Sequence, residues 1–212
     1  SGEFYTRRPI VVYEYQKGRD HQKPLDFYKD YKGVLVTDSL QQYHLVDKKL
    51  PDVTNANCWA HARRDFADAV KAADKKEPSS VRQSVAYQAL QKIAEFYNAD
   101  TELKGLSSKE RLQKRQEVIK PMVEEFFAWV KQQVSDCTVP PKSKPGQGLN
   151  FVINQEKYLR IFPKMAICLS TIQLRRELYE PFVWTRKTGC STILQKERLP
   201  VQWYIVFLKP QS

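Results

Sequence analysis

The segment GVLVTDSLQQY, residues 33–43, constrains the possible folds of this chain more than any other stretch. Four apolar or β-branched residues lead directly into Asp38, and a small polar break follows. A short apolar run of this kind predicts a strand buried on both faces, as in a sheet covered by helices. A carboxylate in this position is most often a turn or cap residue, and otherwise a ligand for a metal ion. The segment therefore predicts an α/β fold and makes Asp38 the first candidate site residue.

The first sixty or so residues are predicted to be β-rich. IVVYEY, residues 10–15, alternates enough for a strand, and QKGRDHQKP, residues 16–24, is a polar turn. The period then changes in CWAHARRDFADAVKAAD, residues 58–74. A helix is predicted there because the apolar residues recur at three- and four-residue spacing, at Trp59, Ala62, Phe66 and Ala69.

The middle of the chain is predicted to be helical. A first helix covers residues 84–103, and a second covers residues 107–134 with a serine cap at its start and a kink at Pro121. Residues 136–148, DCTVPPKSKPGQG, are predicted to be a loop because of their Pro, Gly and Lys content. A further helix, LNFVINQEKYLRIF, covers residues 149–162.

A surplus of positive charge limits the kind of partner. The 212 residues include 35 Lys and Arg against 24 Asp and Glu, a net charge of +11. Such a surplus favours a polyanion, with nucleic acid as the first candidate and an acidic membrane surface as the second. No stretch approaches the roughly 18 apolar residues that a membrane span needs. The four cysteines are widely spaced without a CxxC pair, which predicts a reduced, cytoplasmic chain.

Asp38 has a possible role in phosphoryl transfer. A strand that ends in Asp and is followed by a basic helix is the local form of a site in which carboxylates hold two divalent ions. The ions lie about 4 Å apart, one on the attacking oxygen and one on the leaving oxygen. Such a site needs several carboxylates from separate segments, so Asp38 alone does not establish it.

Two segments of the sequence resemble one particular family with this chemistry. YKGVLVTDSLQQYHLV, residues 31–46, followed by NCWAHARRDFADAVKA, residues 57–72, resembles the DDE transposases of the insertion-sequence-66 family. In that family a segment of the type G-(V/Y)-L-x-x-D-x-(Y/L)-x-x-Y carries the second catalytic aspartate, and a CWAHARR-type helix follows it. The start of the chain and residues 148–162 also resemble the family, so the likeness covers most of residues 1–162.

The resemblance implies a fold and a set of parts. It implies a ribonuclease H-like core in residues 1–66, a helical insertion in residues 67–148 and a core helix in residues 149–162. It makes Asp38 the second catalytic carboxylate and a ligand of Mg²⁺ or Mn²⁺. The first carboxylate is expected upstream of the chain as given. The third is expected soon after Phe162, in a segment of the type D-N-x-x-E-R-x-I-R, which the chain as written does not contain.

Residues 163–212 are predicted to be an out-of-frame tail. If one base was gained or lost near the codons for Phe162 and Pro163, the alternative frame permits EDGDMPVDNSAAERAIR, which resembles the missing segment. The tail as written supplies Glu177 and Glu180 outside the family's pattern. Its apolar WYIVFL stretch is predicted to have no partner surface and to favour aggregation.

Two further pairs of residues carry alternatives. Arg63 and Arg64 are either contacts to DNA phosphates or part of a solvated helix face with neighbouring aspartates. Cys58 and His61 have the spacing of half a zinc site, and no second pair is placed to complete it. The alternative is that Cys58 packs inside and that His61 pairs locally.

The sequence thus predicts a fragment of a DNA transposase, inactive as written, with DNA as the partner of the parent protein and a homo-oligomer as a possible assembly. Two alternatives remain at this stage. One is a non-catalytic basic DNA-binding protein, and the other is a helical interaction protein in which Asp38 is only a cap.

Overall fold

A computed structural model of the chain describes residues 11–15, 22–39, 41–74, 80–165 and 201–205. These residues are mostly helical and contain two two-stranded sheets, so the predicted α/β class is confirmed in its coarse form. They form two compact units that divide between Asn55 and Ala56, with residues 201–205 in the smaller, N-terminal one. Within the described residues, no helix has both the length and the apolar character needed to cross a membrane.

The smaller unit alternates strands and helices. Its elements are β1 (Val11–Tyr15), α1 (Gln22–Tyr28), β2 (Gly33–Thr37), α2 (Gln41–Lys49), the first part of β3 (Val53–Asn57) and β4 (Val201–Ile205). The strands predicted at β1 and β2 are confirmed, but the two helices show that the expectation of a β-rich start was too simple. The helix α1 begins inside the predicted polar turn. Pro24 does not prevent this, because it lies in the first turn of the helix, where a backbone N–H has no helical partner to bond.

The strand β2 lies beside β3 in a parallel two-stranded sheet, with α2 as the connection between them. Leu35 and Thr37 of β2 are buried, whereas Val34 and Val36 on the opposite face are half-buried. The prediction of full burial on both faces is therefore wrong for one face. The buried face packs into a core of residues from both helices and both strands, which are Leu25, Tyr28, Leu35, Tyr43, Val46 and Val53.

The second sheet joins distant parts of the chain. β1 pairs with β4 in antiparallel register, with Tyr13 opposite Trp203 and Val11 opposite Ile205. This pairing corrects the expectation that the apolar stretch near the end of the chain has no partner. The reading frame of residues 163–212 stays a prediction, and residues 166–200 with Glu177 and Glu180 lie outside the described part of the chain.

The larger unit is helical. Its α-helices are α3 (Trp59–Ala62), α4 (Arg64–Asp74), α5 (Val85–Glu102), α6 (Ser108–Lys114), α7 (Lys120–Ser135), α8 (Lys144–Asn154) and α9 (Glu156–Leu159). The predicted helix over residues 58–74 is broken at Arg63, and the one predicted over residues 149–162 is broken at Gln155. The boundaries predicted after residues 66 and 148 fall inside α4 and α8.

An aromatic cluster forms the centre of this unit. The buried indole of Trp59 contacts the rings of Phe96, Phe126 and Phe127, with centroids 4.8, 5.5 and 5.9 Å away. Its Nε1 donates a hydrogen bond of 3.2 Å to the carbonyl of Leu159. Phe126 and Phe127 therefore belong to the core of this unit.

The long predicted helix over residues 107–134 is divided. Its start carries the predicted capping box, in which Ser107 and Glu110 each bond the other's backbone N–H. A π-helical turn, Arg115–Ile119, separates α6 from α7, and Pro121 lies in the first turn of α7. A proline ring clashes with the carbonyl four residues earlier in a regular α-helix, so the wider turn accommodates the interruption predicted at Pro121.

The loop predicted to end at residue 148 ends at Ser143, five residues earlier. Ser143 caps α8 by accepting a hydrogen bond of 3.2 Å from the backbone N–H of Gly146. The glycines of this helix allow close packing and do not mark a flexible loop. A Cβ on Gly148 would lie 2.8 Å from the ring of Phe66 in α4, a residue that is fully buried.

Candidate functional site

Asp38 occupies the first position after β2, at the carboxyl end of the strand. Its side chain is exposed, which makes it accessible to a solvent-borne ion or substrate. Ser39, the next residue, has φ of 72°, in the left-handed region that residues with a Cβ seldom occupy. The sharp change of direction after Asp38 ends the strand there and sets the carboxylate at its tip.

A buried polar pair supports this end of the sheet. Thr37 donates a hydrogen bond of 3.0 Å from Oγ1 to Oδ1 of Asn55 on β3, and both residues are buried. Among the described residues, Asn55 Nδ2 is buried without a hydrogen-bond partner, although the backbone N–H of Asn55 bonds Asp47 Oδ1 at 3.4 Å. A buried amide donor of this kind costs about 1–3 kcal/mol when it lacks a partner. The residue before Asp38 is thus tied to the neighbouring strand by a side-chain bond.

In the larger unit, Asn57 at the end of β3 makes a second polar contact. Its Nδ2 donates a hydrogen bond of 2.8 Å to Oε1 of Gln155, at the break between α8 and α9. Asn57 is buried, so this bond replaces hydration that the amide loses on folding. The contact attaches the α8–α9 junction, which lies in the segment predicted to be a core helix, to the last residue of β3.

The structural role of Asn55 and Asn57 was not predicted. Asparagine is uncommon in strands, and two asparagines separated by one residue lie on the same face. The run VTNAN, residues 53–57, therefore carried a signal for a polar face at this strand. Their partners Thr37 and Gln155 are distant in sequence, and a single sequence does not indicate such pairs.

Arg63 and Arg64 lie where α3 gives way to α4. Arg63 forms the break and is half-buried, and Arg64 is the exposed first residue of α4. Among the described residues, neither guanidinium forms an ion pair, whereas the adjacent Asp65 approaches Lys144 at 3.8 Å. Both predicted alternatives for the two arginines therefore stay open, because Arg64 and Asp68 are exposed and a solvated helix face needs no ion pair.

The described carboxylates do not assemble a metal centre. Across the described ranges, no group of three or more His, Cys, Asp or Glu residues is placed to hold an ion. Cys58 is buried beside the start of α3, as the non-metal alternative predicts. Burial raises the pKa of Glu156, but hydrogen bonds from Lys131 and Arg160 outweigh it and hold the pKa below its ordinary value. That carboxylate is therefore already engaged by cations.

Comparison with protein families identifies a family that the chain resembles over most of its length. The chain matches the family described as "Transposase IS66 family" over residues 2–187. The match includes β2, Asp38, Arg63 and Arg64, and it extends past Phe162 into the segment predicted to be out of frame.

Two curated proteins of Sinorhizobium fredii are similar to the chain. Uncharacterized protein y4hP is 30% identical over 181 residues, which is 82% of this chain and 32% of that protein. Uncharacterized protein y4qI is 24% identical over 163 residues, which is 74% of this chain and 28% of that protein. The chain thus spans about a third of the length of these relatives. No solved structure matches it.

Proposed function

The chain belongs to the transposase IS66 family, and from this we propose that it is a fragment of a DNA transposase catalytic domain in which Asp38 corresponds to a metal-binding catalytic carboxylate of the intact parent. The observation that carries the proposal is the exposed position of Asp38 directly after β2. Side chains at the carboxyl ends of parallel strands are accessible at the edge of the sheet, which is where α/β proteins place reactive groups.

The order of elements supports a ribonuclease H-like core as part of this proposal. Strand, helix, strand, helix and strand follow one another from β1 to β3, and the parallel pair β2 and β3 is joined through α2. The helices from α5 to α7 then correspond to the proposed insertion, and α8 begins the return to the core. A helical insertion of this size accounts for the predominance of helix in a fold whose centre is a sheet.

The metal requirement sets the limit of this chain's chemistry. In the parent reaction, divalent ions stabilise the charge on the attacking and leaving oxygens of a phosphodiester. Asp38 supplies one hard oxygen ligand, and the described residues do not add the further carboxylates that two ions need. The residues present do not fit the two-ion centre, and we propose that this chain neither cleaves DNA nor transfers strands.

A basic surface supports DNA as the partner. Arg64 is exposed and Arg63 is half-buried at the start of α4, and neither is neutralised by a described carboxylate. Guanidinium groups bind phosphate oxygens without reading base sequence. We expect salt-sensitive binding that is indifferent to sequence. A cytoplasmic location and a homo-oligomer are further parts of the proposal.

DNA binding tests the role of the two arginines. Affinity for a duplex of arbitrary sequence is measured by fluorescence anisotropy across a salt series, for the chain and for the double variant Arg63→Ala/Arg64→Ala. Loss of two phosphate contacts is expected to reduce the slope of log affinity against log salt by about 2. Arg82→Ala removes an exposed arginine in the turn Val81–Gln83 and is the matched control. An unchanged slope in the double variant, with its thermal melt retained, contradicts the assignment.

A DNA-cleavage assay tests the proposed inactivity and the role of Asp38. Supercoiled plasmid incubated with the chain and Mg²⁺ or Mn²⁺ is expected to stay intact. Nicking that needs the divalent ion and disappears in Asp38→Asn overturns the proposed inactivity and supports the role of Asp38. Nicking that persists in Asp38→Asn refutes that role. Sequencing the DNA across codons 150–212 decides the reading frame of the tail.

A further inference from the structure

Three charged residues are buried together in the helical unit. Asp100 near the end of α5, Arg111 in α6 and Arg115 in the π-helical turn are 2%, 3% and 0% exposed. Asp100 accepts hydrogen bonds from Arg115 Nε at 2.6 Å and Nη2 at 2.9 Å, and from Arg111 Nη2 at 3.1 Å. The two bonds from Arg115 form a bidentate fork, which fixes the orientation of the guanidinium as well as its position.

The remaining nitrogen of Arg115 points to another part of the chain. Its Nη1 donates a hydrogen bond to the backbone carbonyl of Met165. The guanidinium carbon lies 4.9 Å from the centroid of the Phe162 ring, a cation–π distance. The neighbouring Gln116 donates from Nε2 to the carbonyl of Pro163 at 2.8 Å. The π-helical turn therefore contacts the segment 162–165 at three points, which are the ring of Phe162 and the carbonyls of Pro163 and Met165.

The same segment also packs on α5. The ring of Phe162 lies 6.2 Å from that of Phe96 and 5.9 Å from that of Tyr97, centroid to centroid. Phe162, Pro163 and Met165 are buried, and Lys164 between them is exposed. The segment 162–165 thus contacts both α5 and the π-helical turn, and Asp100 holds the arginine that bonds the segment.

The cost of this arrangement indicates a role beyond holding helices together. Replacing a buried ion pair by apolar side chains of similar volume is often neutral or stabilising by about 1–4 kcal/mol. Leu or Met would serve simple helix packing at least as well. What only an arginine supplies is a rigid fork that bonds a carboxylate on one side and a backbone carbonyl on the other. The hydrogen bond to the carbonyl of Met165 is therefore the contact that this cluster makes and that apolar side chains could not make.

We propose that Arg115, held by Asp100, is a positioning residue that latches the segment 162–165 to the helical insertion, so that the chain leaves Met165 from a fixed point. This inference rests on the proposed function, in which the last catalytic carboxylate of the parent transposase follows this segment. On this view the helical insertion is a support for one arm of the active site. An insertion that only covered DNA or only added stability would not need to bond the backbone at residue 165.

Hydrogen exchange of the folded chain tests the latch without requiring cleavage activity. The amides of Phe162, Lys164 and Met165 are followed by mass spectrometry in Arg115→Lys and Gln116→Ala. Lysine keeps the charge but not the fork, and the glutamine variant removes only the bond to Pro163. We expect exchange of these amides to rise at least tenfold in Arg115→Lys and less in Gln116→Ala, while α5 and α7 change less than twofold.

The control is Lys92→Met. This change removes a surface ion pair in which Lys92 of α5 lies 3.1 Å from Glu125 of α7. It is expected to leave exchange at residues 162–165 unchanged. Wild-type exchange in both latch variants overturns the proposal, as does an increase spread equally over α5, α7 and the segment. Trypsin cleavage after the exposed Lys164 is expected to accelerate in parallel. Because none of these readouts depends on metal or DNA, a failed latch and a failed assignment of the transposase site are distinguished.

Discussion

Gly148 in α8 provides the sharpest test of how the helical unit is packed. A Cβ built at this position lies 2.8 Å from Cε1 of Phe66 and 3.0 Å from two further ring atoms. Phe66 is 0% exposed, so its ring cannot turn away into solvent. The absence of a side chain at Gly148 is therefore what allows α8 to approach α4 this closely. We predict that Gly148→Ala destabilises the chain.

Two opposing terms set the size of the effect. Replacing Gly by Ala inside a helix favours folding by about 1 kcal/mol, through helix propensity and lower entropy of the unfolded chain. Forcing an extra methyl group into a packed core costs about 1–3 kcal/mol. The two terms leave a net loss of about 0–2 kcal/mol, and because the neighbour is a fully buried ring we expect a loss near the upper end of this range.

Urea denaturation followed by tryptophan fluorescence measures this loss. The matched control is Gly105→Ala, because a Cβ at Gly105 meets nothing within 4 Å. A second test is Gly148→Ala in a Phe66→Leu background, where the clash is relieved and the change is expected to become neutral or stabilising. If Gly148→Ala is as stable as Gly105→Ala, or if Phe66→Leu does not alter its effect, the proposed close contact of α4 and α8 is refuted.

Two further predictions concern single hydrogen bonds. Trp59→Phe keeps an aromatic ring but removes the bond to the buried carbonyl of Leu159 and part of the buried indole volume, so we expect a loss of at least about 1–3 kcal/mol in urea unfolding, against a smaller loss for the half-buried Trp129→Phe. Ser107→Ala removes the capping box of α6 and is expected to cost about 0.5–2 kcal/mol. Hydrogen bonds from Ser107 hold the pKa of Glu110 below its ordinary value of 4.5, so their stabilisation is present above that pH and is lost as the pH falls through the lowered pKa. The stability difference between wild type and Ser107→Ala should therefore shrink in acid, and a difference that stays constant with pH contradicts the role of Glu110.

Local patterns predicted the helices of the larger unit well. The helix predicted over residues 84–103 corresponds closely to α5, and the serine cap predicted at residue 107 marks the start of α6. These features depend on neighbours within one or two turns, which a single sequence contains. The short helix α2 was missed because its two buried positions, Tyr43 and Val46, are too few to define a period.

Composition misled the prediction where glycine and proline serve packing. The run KSKPGQG has the composition of a loop, yet Ser143 caps a helix there and Gly148 is buried against another helix. Proline in the first turn and glycine at a close helix contact are compatible with helix, but only the tertiary neighbour reveals this. The position of Asp38 at the end of a strand was predicted correctly from local sequence. The bond between Asn57 and Gln155 could not be predicted, because it forms only when distant segments fold together.

The pairing of β1 with β4 has a consequence for synthesis. β1 emerges from the ribosome before the strand described as its partner, which begins only at residue 201. Until then, we expect β1 to expose an unpaired edge, which is a site for incorrect pairing with other chains. A change of frame after residue 162 would replace residues 201–205, so correcting the frame would also replace the strand that covers β1.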